Sequence, residues 1–244
     1  MNMDRKKELA VVTGGAVRLG REITLALAAA GYDIGLHYHT SRSEAEQTAR
    51  EIQAAGGQVE LLQADLTDST QIATLFKQIA SLPVPLRVLV NSAAVMLRGN
   101  LLTMEVEEWD ATLNLNLRAV WLCAKAAADL MQPAGGCIIN ISDSGAGKTW
   151  SGFPAYVISK AGLETLTRLL ARSLAPEIRV NAVAPGLILP SAETSPEEFQ
   201  RLVQRLPAGH AGTPADVVQA ILFLLENQYI TGETVYVDGG YQLI

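Results

Sequence analysis

A tyrosine and a lysine four residues apart, Tyr156 and Lys160, open a stretch with helical periodicity. At the start of a helix that spacing points both side chains from one face. An ammonium beside a phenol lowers the phenol's pKa from about 10 toward neutrality, so the pair could move a proton. Asp143, thirteen residues before the tyrosine, follows a short apolar run and lies between Ser142 and Ser144. An ionised Asp could not donate to an oxygen gaining negative charge, but a protonated one could act as an acid. That suits a substrate whose accepting atom is a ring nitrogen, as in a C=N bond. The alternative is that Asp143 caps a loop and Ser142 or Ser144 supplies the hydroxyl. Asn116 lies inside an otherwise apolar helical stretch, where a buried amide needs partners.

A second set of residues could hold a dinucleotide. The turn Thr13-Gly14-Gly15-Ala16-Val17-Arg18-Leu19-Gly20 follows a β-rich run and opens a helical one. Glycines there let the backbone approach a pyrophosphate, and the helix N-terminus offers free N–H groups. Arg18 replaces the middle glycine of the usual fingerprint, and its guanidinium could reach phosphate oxygens or an electron-rich substrate. The next β-rich run ends His37-Tyr38-His39-Thr40-Ser41-Arg42, with no acid before Glu44. A carboxylate at that point selects NAD by binding the ribose hydroxyls. Tyr38, His39, Thr40, Ser41 and Arg42 would instead accept a 2′-phosphate, so NADP(H) is the expected cofactor. Asp65-Leu66 ends the third run, where the carboxylate could accept from the adenine amino group. Asn91-Ser92-Ala93 ends the fourth, where small residues leave room for adenosine and ribose.

These residues need a scaffold of alternating strands and helices. Strands are expected at 9–13, 33–39, 58–64, 86–90, 137–141, 179–184 and 234–237. Helices are expected at 19–30, 43–55, 69–81, 105–131, 155–174 and 214–226, with Ser69 able to cap the third. This alternation implies an α/β fold: one Rossmann-type, doubly wound parallel sheet of about seven strands, with helices on both faces. No linker or repeat divides residues 1–244, which read as one domain. Residues 189–213, rich in Pro, Ser, Glu and Ala, read as an insertion covering the substrate at the edge where such sheets bind ligands.

Composition narrows the function classes. Hydrophobic residues make up 49% and charged residues 18%, which excludes a disordered chain. The net charge of −6, without a Lys/Arg cluster, makes nucleic acid an unlikely partner. No apolar run approaches the ~20 residues of a membrane span. Cys123 and Cys137 read as buried free thiols of a reducing compartment, so a cytoplasmic location is expected. His37 and His39 share a strand face, but no Cys or carboxylate completes a metal set, and no metal is expected. His210 is isolated.

Taken together, the chain resembles the short-chain dehydrogenase/reductase family. The matching pieces are Thr13–Gly20, Ala64-Asp65-Leu66, Asn91-Ser92-Ala93, Asn116, Tyr156-Val157-Ile158-Ser159-Lys160, Arg179-Val180-Asn181 through Pro185-Gly186, and Val237-Asp238-Gly239-Gly240. The resemblance implies that Tyr156, Lys160 and Asn116 are catalytic, with Asn116 holding a water that links Lys160 to solvent. Lys160 would also hold the nicotinamide ribose. Pro185, Gly186, Leu187 and Ile188 would line the cofactor. Arg18 and Asp143 depart from the common pattern, since most members carry a serine where Asp143 stands. With Leu36-His37-Tyr38-His39, both departures resemble the pteridine reductase branch, which reduces pterins with NADPH. The stacking aromatic expected a few residues after Asn91 is here Met96, and Trp150 is the candidate replacement.

The expected function is NADPH-dependent reduction of a dihydropterin or folate. Two alternatives remain: a carbonyl reductase of 3-oxoacyl thioesters, for which Met96 is the better lining, and an NADP-binding regulator without chemistry. The expected partners are a small-molecule substrate and further copies of the chain, as a homodimer or homotetramer built on apolar helix faces.

Overall fold

The computed structural model describes residues 7–132, 134–190 and 194–244. The sheet contains β1 (Leu9–Thr13), β2 (Asp33–Tyr38), β3 (Val59–Gln63), β4 (Leu86–Asn91), β5 (Gly136–Ile141), β6 (Ile178–Pro185) and β7 (Thr234–Val237). All neighbours pair in parallel, in the order β3-β2-β1-β4-β5-β6-β7. Parallel strands need crossovers, and helices supply them: α1 (Arg18–Ala29), α2 (Arg42–Ala54), α3 (Ser69–Ala80), α4 (Val106–Leu113), α5 (Ala119–Met131), α6 (Pro154–Leu174), α7 (Pro196–Val203) and α8 (Pro214–Glu226).

Strand alternation sorts the core into two layers. On β1, Leu9 and Val11 pack with Ile72, Leu75 and Phe76 of α3 and Cys123 and Ala127 of α5. Ala10 and Val12 face the other way, toward Ile23 and Leu27 of α1 and Ile221 and Leu224 of α8. Both faces of β1 are therefore covered, which is why its five residues are all buried. Strand order reverses between β1 and β4. At such a switch point the helices leave toward opposite faces, and a crevice opens beyond the strand ends. The glycine turn after β1 and the Ser92–Ala93 segment after β4 meet there.

Two local expectations need correction, and one stretch gains detail. The helix expected over 105–131 is interrupted by a π-turn at Asn114–Arg118, and Asn116 sits in it, 1% exposed. An extra residue in the turn shifts its register, a feature frequent at functional sites. Asp68 rather than Ser69 caps α3, accepting from the amides of Thr70 and Gln71. The stretch 189–213 contains α7, which Ser195 caps by accepting from the Glu198 amide. Residues 191–193 of it lie outside the described residues. No helix among the described residues is long and apolar enough to cross a membrane. Both cysteines are buried free thiols, and burial pushes Cys123 up to about 12 and Cys137 to about 11.

Candidate active site

A cleft of about 520 Å³ opens at the switch point. Gly14, Arg18, Leu19 and Gly20 of the first turn line it, with His39, Asp65 and Leu66, then Ser92 and Ala93. Its far side carries Asp143, Tyr156, Lys160, Pro185, Gly186 and Ile188.

Backbone approach shapes the first turn. A Cβ on Gly20 would stand 2.1 Å from the Gly14 carbonyl oxygen, and one on Gly14 would lie 2.9 Å from Ala93 Cα. Only glycine fits at either point. Val17 precedes α1 without any side-chain cap, and the first turn holds no acid. The first amides of α1 are therefore left for an anion. Arg18 adopts a left-handed backbone, with φ of 52°, as the glycine it replaces would do without strain. Its Nη2 donates across the cleft mouth to the Pro190 carbonyl at 2.7 Å.

His37 is a site residue that sequence reasoning missed. Its Nδ1 accepts from the Gly14 amide at 3.1 Å, and its Nε2 lies 3.0 Å from the Ala64 carbonyl. Nδ1 must be bare to accept, so Nε2 carries the hydrogen and donates. The His37 carbonyl also accepts from the Gly15 amide. One buried residue thus ties the glycine turn to the end of β3. Burial first, and the neighbouring His39 as a further cause, push its pKa down to about 4, against the opposing pull of Ala64 and Asp65. The ring is therefore neutral.

Beyond His37 the expected 2′-phosphate residues separate. His39 lines the cleft, Thr40 is exposed beyond it, and Ser41 sits at the N-terminus of α2. Tyr38 is buried in the core and does not line the cleft. Arg42 pairs with Glu46 at 2.9 Å on the helix surface. Asp65 Oδ1 accepts from the Thr67 amide and hydroxyl, bonds that hold its pKa below the usual carboxylate range. Its other oxygen lies 4.0 Å from His39 Nε2. Asn91 turns into the sheet instead of the cleft. Its Nδ2 donates to Asn140, whose Nδ2 donates to Thr167 of α6, a buried polar chain from β4 to α6.

On the other side, Tyr156 and Lys160 sit in the first two turns of α6, which Pro154 opens. The Tyr156 hydroxyl donates to Asp143 Oδ2 at 2.7 Å. Asp143 Oδ1 accepts from the Gly145 amide at 2.6 Å. Asp143 therefore caps its loop and bonds the tyrosine at once. Burial raises the Asp143 pKa, against the Gly145 and Tyr156 hydrogen bonds. Tyr156 is corrected in the opposite direction from the sequence expectation: burial and then the Asp143 carboxylate raise it well above 10. Lys160 is 4% exposed and donates to the Ile141 carbonyl at 2.7 Å, and burial lowers it to about 8. Its Nζ lies 5.6 Å from the Tyr156 ring centre. Ser142 Oγ is committed to Glu164 at 3.1 Å. Ser144 Oγ is buried without a partner among the described residues and does not line the cleft.

The Asn116 amide clamps the segment after β4. Its Oδ1 accepts from the Val95 amide, while its Nδ2 donates to the Val95 carbonyl and to Ser159 Oγ. Met96, Trp150 and Leu187 lie outside the main cleft, whereas Leu115, Ile141 and Leu189 line it without having been singled out. Trp150 faces a separate cavity with Tyr241, and Leu187 a third. Among the described residues no group of His, Cys, Asp and Glu is placed to hold a metal.

A parallel sheet with its cleft at the switch point, a glycine turn and a Tyr–Lys pair on one helix face define an oxidoreductase class. The chain belongs to the short-chain dehydrogenase/reductase family. Residues 15–242 match its family model described as enoyl-(acyl carrier protein) reductase. The 3-oxoacyl-(acyl-carrier-protein) reductase FabG of Staphylococcus aureus is 35% identical over 95% of this chain and 96% of its own. Carbonyl reductase family member 4 of Danio rerio is 39% identical over 97% of this chain and 98% of its own. Among solved structures, FolM alternative dihydrofolate reductase 1 from Brucella canis, complexed with NADP, superposes with a TM-score of 0.93 at 34% identity. That match covers 98% of this chain and 95% of the Brucella chain.

Proposed function

We propose that the protein reduces the C=N bond of a dihydropterin or folate-type substrate with NADPH. The observation that carries this reading is the buried Asp143 carboxyl bonded to Tyr156, in place of a neutral hydroxyl. Burial raises the Asp143 pKa and so shifts it toward the protonated acid, the form that could give a proton to a ring nitrogen. Burial raises Tyr156 as well, so the phenol keeps its proton in this site. Its hydroxyl is placed to stabilise the carboxylate left on Asp143. The FolM structure, an alternative dihydrofolate reductase with NADP bound, supports both substrate class and cofactor.

The residues present fit NADPH. Gly14, Leu19, Gly20 and the free first turn of α1 would hold the pyrophosphate, with Arg18 above it. The acid-free end of β2 fits a 2′-phosphate on His39, Thr40 and Ser41, supported by the α2 N-terminus. Tyr38 would contribute backbone at most. Asp65 and Leu66 would meet the adenine, Ser92 and Ala93 the ribose, and Lys160 the second ribose. Pro185, Gly186 and Ile188 would close the nicotinamide end. When bound, the nicotinamide supplies hydride to the ring carbon. Asn116 would act by holding the segment after β4 and Ser159 beside the catalytic pair.

A second reading is reduction of a 3-oxoacyl thioester, favoured by the FabG similarity at 35% identity. In that reaction the accepting oxygen gains negative charge, which the protonated Asp143 carboxyl also meets, so turnover of each substrate, and not the carboxyl alone, separates the readings. NADPH oxidation measured side by side with dihydrobiopterin, dihydrofolate, dihydromonapterin and acetoacetyl thioester separates them. Turnover of a dihydropterin or dihydrofolate is expected, and activity confined to the thioester sinks the reading.

The assembly belongs to the same proposal. Trp121 of α5 is 46% exposed and Leu169 of α6 59%, apolar faces suited to a homodimer or homotetramer. Light scattering should show more than one copy at micromolar concentration, and a stable monomer contradicts this. The buried free thiols fit a cytoplasmic setting.

A further inference from the structure

Successive residues at the exit of β5 are each held by a residue one turn further along α6 or one turn back. The Lys160 ammonium donates to the Ile141 carbonyl at 2.7 Å. The Ser142 hydroxyl donates to Glu164 Oε1 at 3.1 Å. The Tyr156 hydroxyl donates to Asp143 Oδ2 at 2.7 Å. Tyr156, Lys160 and Glu164 are spaced i, i+4 and i+8, so they form one row along the helix. Tyr156 and Lys160 are buried and line the cleft, whereas Glu164 is half-buried and does not. Its bond into the site runs through Ser142.

Glu164 is itself fixed from another strand. The Tyr236 hydroxyl of β7 donates to Oε1 at 3.3 Å and to Oε2 at 3.1 Å. Oε1 thus accepts from β5 and β7 at once, which leaves the carboxylate little freedom. On the β6 side the exit of β5 is tied by backbone: the Ser142 amide donates to the Val183 carbonyl and the Ser144 amide to the Pro185 carbonyl. Asp143 lies between those two anchors. The Ser142–Glu164 bond anchors the same residues toward α6. Ser142 is 3% exposed. Without Glu164 its hydroxyl would lose its acceptor away from solvent, and the strand end would have to shift to regain one.

We propose that Glu164 is a positioning residue for the reaction: through Ser142 it holds the exit of β5 where the Asp143 carboxyl meets the Tyr156 hydroxyl. The inference rests on the reading that Asp143 and Tyr156 act as a pair in the reaction, and not on which substrate they serve. A shift of the strand end moves Asp143 relative to a tyrosine fixed on α6. Proton transfer falls steeply with such misplacement. The glycine turn that would hold the pyrophosphate lies across the cleft, so cofactor affinity should change little. The role needs an acceptor at this point of α6 and not a charge, so a glutamine amide can fill it.

Glu164→Ala should lower kcat about tenfold, with the KM for NADPH unchanged, on whichever pterin, folate or thioester substrate the wild type turns over. Glu164→Gln, whose amide oxygen still accepts from Ser142, should restore most of that rate. Ser142→Ala should reproduce the loss, and the double variant Ser142→Ala/Glu164→Ala should be no slower than the slower single one. A second measurement needs no turnover. The carbon-13 NMR signal of the Asp143 carboxyl, assigned through Asp143→Ala, should move in both alanine variants and return in Glu164→Gln. Ser142→Ala removes only a hydroxyl, so it carries the test if Glu164→Ala fails to fold. Four results each overturn the proposal and leave the reaction assignment intact: wild-type rates in the alanine variants, losses that multiply in the double variant, a Glu164→Gln enzyme as slow as Glu164→Ala, or an Asp143 signal unmoved in Ser142→Ala. If the wild type turns over none of the substrates, the reaction assignment falls and the carboxyl signal decides alone. Movement in Ser142→Ala then sustains the positioning role, and its absence overturns it.

Discussion

The two halves of the cleft are built by different means. On the β1–β3 side, the shape is made by backbone: a glycine turn, an uncapped helix start and an acid-free strand end. On the β5–α6 side, it is made by side chains that meet across long stretches of sequence. Asp143 bonds Tyr156, Ser142 bonds Glu164, and Trp150 packs on Gly145 under Tyr241. A backbone-built half offers main-chain groups whatever the neighbouring side chains, whereas a side-chain-built half depends on the identity of each residue. Substitutions in the first half should therefore disturb folding and cofactor binding together, and those in the second should change turnover or selectivity.

The largest effect on the cofactor half is expected from Gly20→Ala. The added methyl meets the Gly14 carbonyl oxygen, so the turn must open. A loss of about 3 kcal/mol in unfolding free energy is expected, with cofactor affinity down at least about a hundredfold. Denaturant melts and fluorescence titration check both. Unchanged affinity would mean that the turn does not shape the site.

His37 gives the next effect and a pH signature. Its folded value of about 4 lies below the ordinary 6.5, so its contribution is present above pH 6.5 and is lost as pH falls through 4. That window carries about 3 kcal/mol. Asp65, Asp68 and Asp216, each held low by hydrogen bonds, act only below it. In His37→Gln the loss of stability on going from pH 6.5 to 4 should disappear, leaving the opposite trend of the raised Asp143 carboxyl, and cofactor binding should weaken. A variant that keeps the wild-type pH dependence removes His37 as the strut of the turn.

Most of this first half was legible in the sequence, because glycine spacing and the absence of acids report backbone geometry directly. The strands and their cleft-facing ends followed from apolar runs of the right length. His37 was not legible as a site residue: its position opposite Gly14 depends on the register between β1 and β2. On the second half, Asp143, Tyr156 and Lys160 were identified by spacing, but Tyr156 was expected to be lowered. Its real surroundings, burial plus a neighbouring carboxylate, exist only in the fold. The π-turn at Asn114–Arg118 left no signal either, since the flanking residues keep helical periodicity. Asn91 and Trp150 were read as facing the cleft because the ends of β4 and β5 do. Their side chains bond to Asn140 and pack on Gly145 instead.

A smaller effect tests the 2′-phosphate end. Thr40→Asp should reduce the preference for NADPH over NADH about tenfold, near 1.4 kcal/mol, by repelling the phosphate. Dissociation constants for both cofactors measure it, and an unaltered ratio would place the phosphate elsewhere. The smallest change is expected from Arg18→Gly. Relief of the left-handed backbone should raise stability by roughly 1 kcal/mol even though the contact to Pro190 is lost, while KM rises because the guanidinium is gone. Lower stability in that variant would show that the Arg18–Pro190 contact outweighs the strain.

The most direct test of the account is the rate of NADPH oxidation with dihydrobiopterin by Asp143→Ala, measured beside NADPH affinity and across pH. If the raised Asp143 carboxyl delivers the proton, the wild-type kcat should fall as pH rises through its pKa. The variant should lose about 10²–10⁴-fold in kcat, with little change in cofactor dissociation constant. A fully active Asp143→Ala enzyme with the wild-type pH profile would contradict proton delivery by Asp143.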